Sequence, residues 1–145
     1  MILLDTNVMS EFARPRPDPA VEAWYLTNAD QCWLASIAIG EMAFGIAKLE
    51  PGARRSKLES QLADWRIAYA ARTHGFHAST AMIYGTVMAT ARRAGRPISA
   101  TDAQIAAIAI EHDCALATRN IGDFEPSGVA LVDPWEDQVD AGSSQ

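Results

Sequence analysis

Short apolar runs alternate along this chain with longer stretches of helical periodicity. Residues 2–4 form a run without polar side chains, which is typical of a strand buried on both faces of a parallel sheet. Similar runs predict strands at residues 32–35, 115–118 and 129–132, and a weaker pattern predicts one at residues 73–77. Because strands and helices alternate, we predict an α/β domain with a mainly parallel sheet.

Helices are predicted in most of the intervals between these strands. The clearest spans residues 54–71, where large apolar side chains recur every three or four residues on one face. These side chains are Leu58, Leu62, Trp65 and Tyr69. Other helices are predicted at residues 8–12, 20–27, 37–49, 80–94 and 105–111. Pro51 and Gly52 break the chain before residue 54, so the helices on either side should form a hairpin.

The composition is that of one ordinary globular domain, with 145 residues, of which 49% are hydrophobic and 21% charged. No apolar run approaches the roughly 20 residues needed to cross a bilayer, and the N-terminus lacks the features of a signal peptide. We therefore expect a cytoplasmic protein without membrane contact. We predict that residues 1–135 form the domain and that residues 136–145 form a flexible C-terminal tail.

The formal net charge of −6 is unfavourable for a nucleic-acid partner, because phosphate binding normally requires a basic surface. The basic residues are nevertheless clustered, and a negative total can coexist with local positive patches. The clusters are Arg14 with Arg16; Arg54, Arg55 and Lys57; Arg92, Arg93 and Arg96; and Arg119 near Asp123. For each cluster, a solvated helix face is an equally good explanation.

Four acidic residues interrupt apolar or turn-forming stretches, unlike most acids of the chain. Asp5 directly follows the first predicted strand, and ligands of open α/β sheets bind beyond the carboxyl ends of the strands. Asp123 follows a later strand, and Glu41 lies just over one turn inside a helix whose start also follows a strand. Asp102 precedes an apolar helix, where a capping role alone is the alternative explanation.

Convergence of these four carboxylates would be costly without a counter-charge. Two unit charges 4 Å apart repel by roughly 4 kcal/mol at an effective dielectric of about 20. Only a bound cation or raised pKa values make such a cluster tolerable. A hard divalent ion is the simpler explanation, and an all-carboxylate site favours Mg²⁺ or Mn²⁺.

Two other functions explain the acids as well. A metal-dependent phosphohydrolase could use them on a small phosphoester, although the first strand carries no Asp-x-Asp nucleophile motif. A non-catalytic signalling or binding module could use them only to hold a metal ion. Signalling receivers usually pair acids after the first strand and need a late Lys, whereas Thr6 follows Asp5 and no Lys occurs after Lys57.

Four short motifs resemble, in order, the motifs of PIN-domain ribonucleases. They are Leu3-Leu4-Asp5-Thr6-Asn7; Ser36 with Glu41 and Gly45; Thr101-Asp102-Ala103 with Ile105-Ala106-Ala107; and Thr118-Arg119-Asn120 with Asp123-Phe124. Within that family the chain is similar to the VapC/FitB-type toxins of bacterial type II toxin–antitoxin modules. The resemblance covers residues 1–135, and four motifs in order are far more specific than any one alone.

The resemblance implies a sheet of about five parallel strands flanked by helices, with a helical clip around residues 37–71. It places four catalytic acids around Mg²⁺ or Mn²⁺: Asp5, Glu41, Asp102 and the more variable Asp123. Three polar positions would support metal, water or phosphate: Thr6, Thr118 and Asn120. The implied chemistry is endonucleolytic hydrolysis of RNA by metal-activated water, often of a structured RNA such as tRNA. Such cleavage inhibits translation and growth until an antitoxin neutralises the toxin.

Partners follow mainly from the same resemblance. Carboxylates cannot attract RNA, so basic residues must position it. The candidates are Arg119, Arg92, Arg93 and Arg96. The resemblance further implies a homodimer or toxin–antitoxin hetero-oligomer that contacts DNA only through the antitoxin. Candidate apolar contacts for the antitoxin are Trp24, Tyr25, Phe44 and Trp65, each with ordinary core packing as the alternative.

Overall fold

A computed structural model describes residues 1–136, and the predicted tail at residues 136–145 lies outside that part of the chain apart from Glu136. A parallel five-stranded sheet forms its centre, which confirms the predicted α/β class. The strands are β1 (Ile2–Leu4), β2 (Cys32–Ala35), β3 (Thr73–His74), β4 (Ala115–Ala117) and β5 (Leu131–Val132). Their order across the sheet is β3-β2-β1-β4-β5.

Seven α-helices within residues 1–136 flank this sheet. They are α1 (Thr6–Glu11), α2 (Pro19–Asn28), α3 (Ser36–Ala47), α4 (Ala53–Ala68), α5 (Ala78–Arg93), α6 (Ala100–Glu111) and α7 (Ile121–Phe124). Every predicted helix is present. Helix α7 is not predicted from the sequence, because its 4 residues are too few to give a periodic signal. Helices α3 and α4 pack together as the predicted hairpin, which we call the clip. None of the seven is long and apolar enough to cross a membrane.

Both edge strands are shorter than the sequence predicts. The apolar pattern predicts strands at residues 73–77 and 129–132, whereas β3 and β5 contain 2 residues each. The neighbouring strand limits each of them. Ala35 at the end of β2 pairs with His74, and β4 is only 3 residues long. The pairing of β3 with β2 ends at His74, and the pairing of β5 with β4 begins at Leu131, although the Ala130 carbonyl still accepts a hydrogen bond from the Leu116 N–H at 2.8 Å.

Strand β1 and helix α6 form the centre of the core. Leu3 and Leu4 are fully buried, as the uninterrupted apolar run predicts. Helix α6 is buried at Ala103 and continuously over residues 105–109, so it is a core helix rather than a surface helix with one apolar face. Burial of apolar surface stabilises by about 25 cal/mol per Å². This packing holds the first turn of α6, which carries Asp102, in a fixed place.

The residue that caps the start of α6 is Ser99 rather than Asp102. The Ser99 side chain is the cap, since its Oγ accepts a hydrogen bond from the Asp102 backbone N–H at 3.2 Å. Asp102 lies in the first turn, where the helix dipole favours an acid; burial raises its pKa, and a side-chain hydrogen bond with Ser99 lowers it in part. Asp102 therefore stabilises the start of α6 without being its cap residue.

Candidate active site

The carboxyl edge of the sheet opens into an acidic cleft of about 470 Å³. Residues that follow β1 and β4 meet there with residues from α1, α3 and α6. The lining residues are Asp5, Thr6, Asn7, Ser10, Glu11, Arg14, Glu41, Asp102, Arg119, Asn120 and Trp135. The crevice beyond parallel strands is the usual ligand position in open α/β sheets. Three of the four predicted acids thus share one cleft.

Asp5 is the buried centre of this cleft, with 5% of its surface exposed. Its backbone N–H donates to the Ala117 carbonyl at 2.9 Å, which ties the end of β1 to the end of β4. Its Oδ1 accepts from the Thr6 N–H at 2.8 Å, and its Oδ2 accepts from the Thr118 hydroxyl at 2.8 Å. Both carboxylate oxygens are therefore held in fixed directions.

Thr118 connects the loops that follow β1 and β4. This fully buried residue accepts hydrogen bonds from Asn7 Nδ2 at 3.2 Å and from the Asn120 N–H at 3.0 Å, while it donates to Asp5. The predicted supporting residue Asn120 acts here through its backbone. A single hydroxyl group thus fixes the position of Asp5 relative to both loops.

The clip contributes Glu41 through another threonine. The Thr6 hydroxyl donates to Glu41 Oε1 at 2.7 Å, and the Thr6 N–H binds the Asp5 carboxylate. Thr6 therefore bridges the two acids, which are far apart in sequence. The predicted supporting positions Thr6 and Thr118 both contact a predicted acid directly.

Electrostatics couple the acids of the cleft. The pKa of Asp5 is raised to about 6, because burial and, to a smaller extent, the charges of Asp102 and Glu41 outweigh the lowering by the hydrogen bonds from Thr118 and Thr6. Burial also raises the pKa of Asp102, with additional contributions from Asp123 and Glu41. Asp123 is exposed on α7 and lies outside the cleft lining. It is therefore peripheral, but close enough to act on Asp102.

A divalent ion fits the chemistry of this donor set, although the acids do not form a closed cage. Among residues 1–136, no three Asp, Glu, His or Cys side chains are grouped so that they could hold an ion by themselves. Mg²⁺ usually keeps several waters and binds one or two carboxylates together with substrate phosphates. Asp5 and Glu41, bridged by Thr6, meet that requirement. A cation would also offset the burial and the like charges that raise the pKa of Asp5.

Replacing Thr118 by Val should lower the free energy of unfolding by about 1–3 kcal/mol, because Asn7 and Asn120 lose a buried acceptor and Asp5 loses a donor. The pKa of Asp5 should rise further, since the hydroxyl lowers it. Urea unfolding at pH 7.5 measures the first effect. Thr6→Val is the matched control, with less than about 1 kcal/mol expected because its bond is exposed. Equal losses in the two variants would contradict a central role of Thr118.

The predicted RNA-binding arginines occupy three different environments. Arg119 lines the cleft, and its guanidinium lies over the Trp135 ring at 5.3 Å. Arg96 is exposed and pairs with Glu125 at 3.2 Å, just after α7. Arg92 and Arg93 are exposed at the end of α5 and do not line the cleft. Of the four predicted arginines, only Arg119 lines the cleft that contains the acids.

An ion pair in the cleft between a buried glutamate and an exposed arginine is not predicted from the sequence. Glu11 is 4% exposed, and its two carboxylate oxygens accept hydrogen bonds from Arg14 at 3.0 and 3.2 Å. Oε1 also accepts from the Asp18 N–H at 2.9 Å. The available signal was spacing, since Glu11 lies one helical turn after Asn7 and three residues before Arg14. Trp135, which also lines the cleft, gave no signal beyond its position after the last strand.

The four predicted antitoxin contacts divide into one core residue and three surface residues. Trp24 is 3% exposed and packs in the core. The prediction that Trp24 contacts the antitoxin is therefore wrong, because its side chain has almost no accessible surface. Tyr25 and Trp65 are partly exposed and line a concavity of about 320 Å³. Phe44 on the clip is 65% exposed, with Lys48 Nζ 4.7 Å from its ring centre.

The sheet order and the acids at its carboxyl edge define the class of protein. A family model described as the PIN domain matches residues 2–125. The chain therefore belongs to the PIN-domain family, and the resemblance carried by the four motifs is confirmed.

Two relatives place the chain in the VapC/FitB group of that family. It is 36% identical over 138 residues to the VapC ribonuclease Y4jK of Sinorhizobium fredii, covering 94% of this chain and 99% of that protein. It is 37% identical over 139 residues to toxin FitB of Neisseria gonorrhoeae, covering 94% of this chain and 100% of FitB. Both matches extend over nearly the whole of each protein.

Solved structures agree with these relatives. The chain is similar to a crystal structure of FitAcB from Neisseria gonorrhoeae, with a TM-score of 0.88 and 36% identity over 94% of this chain and 99% of that one. A structure of FitAB bound to an IR36 DNA fragment gives a TM-score of 0.88 and 36% identity over 95% and 98% of the two chains. The predicted five-stranded PIN fold with its clip is therefore confirmed.

Proposed function

We propose that this protein is a Mg²⁺- or Mn²⁺-dependent endoribonuclease and the toxin of a type II toxin–antitoxin module. The observation that carries this proposal is the environment of Asp5. A buried carboxylate with a raised pKa lies at the carboxyl edge of a PIN-domain sheet, bridged by Thr6 to Glu41 and coupled to Asp102. The VapC ribonuclease and toxin FitB among its relatives support the same activity.

Asp5 and Glu41 would hold the ion together with waters and a substrate phosphate, with Asp102 beside them in the cleft and Asp123 contributing from the periphery. When bound, the ion would lower the pKa of water, orient it for attack and stabilise charge on the scissile phosphate. Thr118 and the Thr6 N–H orient the Asp5 carboxylate, and the Thr6 hydroxyl orients Glu41. These contacts fix the positions of the acids before substrate binds, which avoids a reorganisation cost in the reaction.

Arg119 would position the phosphate that is cleaved. Its backbone N–H donates to Asn7 Oδ1 at 3.3 Å, and its guanidinium is placed over the Trp135 ring. Within residues 1–136 it forms no ion pair with the acids of the cleft. The Trp135 ring therefore holds a positive charge beside the carboxylates without neutralising it. We keep Arg92, Arg93 and Arg96 as candidates for more distant contacts with a structured RNA such as tRNA.

A cognate antitoxin would silence the protein, and cleavage of its RNA target would inhibit translation and growth in its absence. The structures of FitAcB and of FitAB with DNA, both 36% identical to this chain, support such a partner. We propose that Tyr25, Phe44 and Trp65 contribute apolar surface to this complex. We also propose a homodimer or a toxin–antitoxin hetero-oligomer that contacts DNA only through the antitoxin.

The direct test is cleavage of total RNA by the purified protein, with fragment ends sequenced. Discrete cuts are expected with Mg²⁺ or Mn²⁺, leaving 5′-phosphate and 3′-hydroxyl ends, and EDTA should abolish them. Cuts that persist in EDTA would contradict metal dependence. Turnover of small phosphoesters without any RNA cleavage would favour the phosphohydrolase, and metal binding without turnover of either would favour the binding module.

A further inference from the structure

A groove continues from the acidic cleft between α1 and the clip. This clip groove has a volume of about 610 Å³ and shares Thr6, Arg14 and Glu41 with the cleft. It extends to the first turns of α4, where Arg54 and Lys57 line it. The cleft and the clip groove are therefore one continuous surface that is acidic at one end and basic at the other.

The two cations at the basic end of the groove, Arg54 and Lys57, do not stabilise helix α4. Arg54 and Lys57 are exposed, and within residues 1–136 neither forms an ion pair, whereas Arg55 between them pairs with Glu59 at 2.8 Å. The first turn of α4 contains no acid, although the helix dipole favours acids there and disfavours cations. The two cations are spaced three residues apart, so they lie on one face of the helix, and that face borders the groove.

Arg14 joins the two ends of this surface. Its Nη1 is bound by the buried carboxylate of Glu11, yet 60% of its side chain is exposed. Glu11 therefore orients the guanidinium of Arg14, which lines both the cleft and the clip groove. Three cations thus follow one another from the cleft along the groove.

We propose that the clip groove binds the backbone of an unpaired RNA segment next to the scissile phosphate, with Arg14, Arg54 and Lys57 contacting successive phosphates. This proposal rests on the ribonuclease function proposed above. The carboxylates of the cleft repel phosphate, and the protein carries a net charge of −6, so affinity must come from basic flanks. Met42 and Leu58, which line the groove beside these cations, offer apolar contact to the bases, which are accessible only in an unpaired strand.

The test compares two exposed basic pairs. Arg54→Ala with Lys57→Ala removes the groove cations, and Lys48→Ala with Arg66→Ala is the matched control, since both of these exposed cations lie outside the cleft and the groove. Binding of a short fluorescent unpaired RNA is measured by anisotropy over a range of salt, with single-turnover cleavage in Mg²⁺ alongside. Loss of two phosphate contacts should weaken binding roughly 10- to 30-fold near 0.1 M salt and reduce the log–log salt slope by about 1.4.

In the cleavage assay the half-saturating protein concentration should rise while the maximal rate stays unchanged. The control pair should change binding by less than about 2-fold. An equal loss of RNA affinity in both double variants, or no loss of RNA affinity in the groove variant, would overturn the proposal. The proposal would also be overturned if the groove variant bound RNA as the wild type does but no longer formed the antitoxin complex. The groove would then be a binding site for the antitoxin. If the wild-type protein cleaves no RNA, the proposed function fails, and the binding comparison still decides about the groove.

Discussion

Asp5→Asn should slow metal-dependent RNA cleavage roughly a thousandfold while leaving the protein folded. The substitution removes the buried charge from the centre of the cleft and keeps the shape of the side chain. A metal ion contributes several kcal/mol of charge stabilisation to the transition state, and about 4 kcal/mol corresponds to a thousandfold in rate. Because Asp5 also anchors the Thr6 bridge to Glu41, the loss should affect the catalytic rate rather than RNA affinity.

Single-turnover kinetics at saturating protein measure this effect. Glu22→Gln provides the control, since Glu22 is an exposed acid on α2 that does not line the cleft, and its rate should equal that of the wild type. Asp123→Asn should have an intermediate effect because Asp123 lies on α7 outside the cleft lining. An Asp5→Asn variant that keeps more than about a tenth of the wild-type rate would refute the assignment of Asp5 as a metal ligand.

The metal-free protein should lose stability as the pH rises, and Asp5 should cause roughly 2 kcal/mol of that loss between pH 4 and pH 7.5. The pKa of Asp5 is raised from 3.8 to about 6 in the fold, mainly by burial. Between these two values the folded state binds more protons than the unfolded state, so the free energy of unfolding falls with increasing pH. One pKa unit corresponds to about 1.4 kcal/mol, which sets the magnitude.

Urea unfolding in EDTA at several pH values measures this difference between the wild type and Asp5→Asn. The variant has no ionisable group at position 5, so it should lack this part of the pH dependence. The difference in the free energy of unfolding between the two proteins should therefore change with pH. Addition of Mg²⁺ at pH 7.5 should stabilise the wild type by about 2.7 kcal/mol at a hundredfold excess over its Kd, and the variant much less. Parallel pH profiles of the two proteins, or equal stabilisation by Mg²⁺, would contradict the coupling between Asp5 and a cation.

Local signals in the sequence were sufficient to predict the elements that form the site. Residues 2–4 could be assigned to a central strand because a strand buried on both faces needs apolar side chains at every position. The acids could be selected as candidate site residues because a charged side chain next to a buried strand is unfavourable unless it has a partner. Their spacing along the chain matched the PIN-domain motifs, and the family match extends over residues 2–125.

Pairings between distant residues could not be predicted in the same way. The Thr118 hydroxyl meets Asp5 across 113 positions of sequence, and the Thr6 hydroxyl meets Glu41 across 35. Such contacts have no local period, since they depend on which loops the sheet order brings together. Trp24 shows the converse problem, because helical spacing could not decide whether its aromatic ring faces the core or a partner.

The sequence by itself determined the order of strands and helices, the acids at the strand ends and the family, because each of these leaves a local pattern. The tertiary structure decided that Asp5 is buried with a raised pKa, that Glu11 orients Arg14, and that Arg54 and Lys57 line the clip groove that continues from the cleft. These features depend on burial and on distances between remote residues. Both quantities arise only when the chain packs into one core.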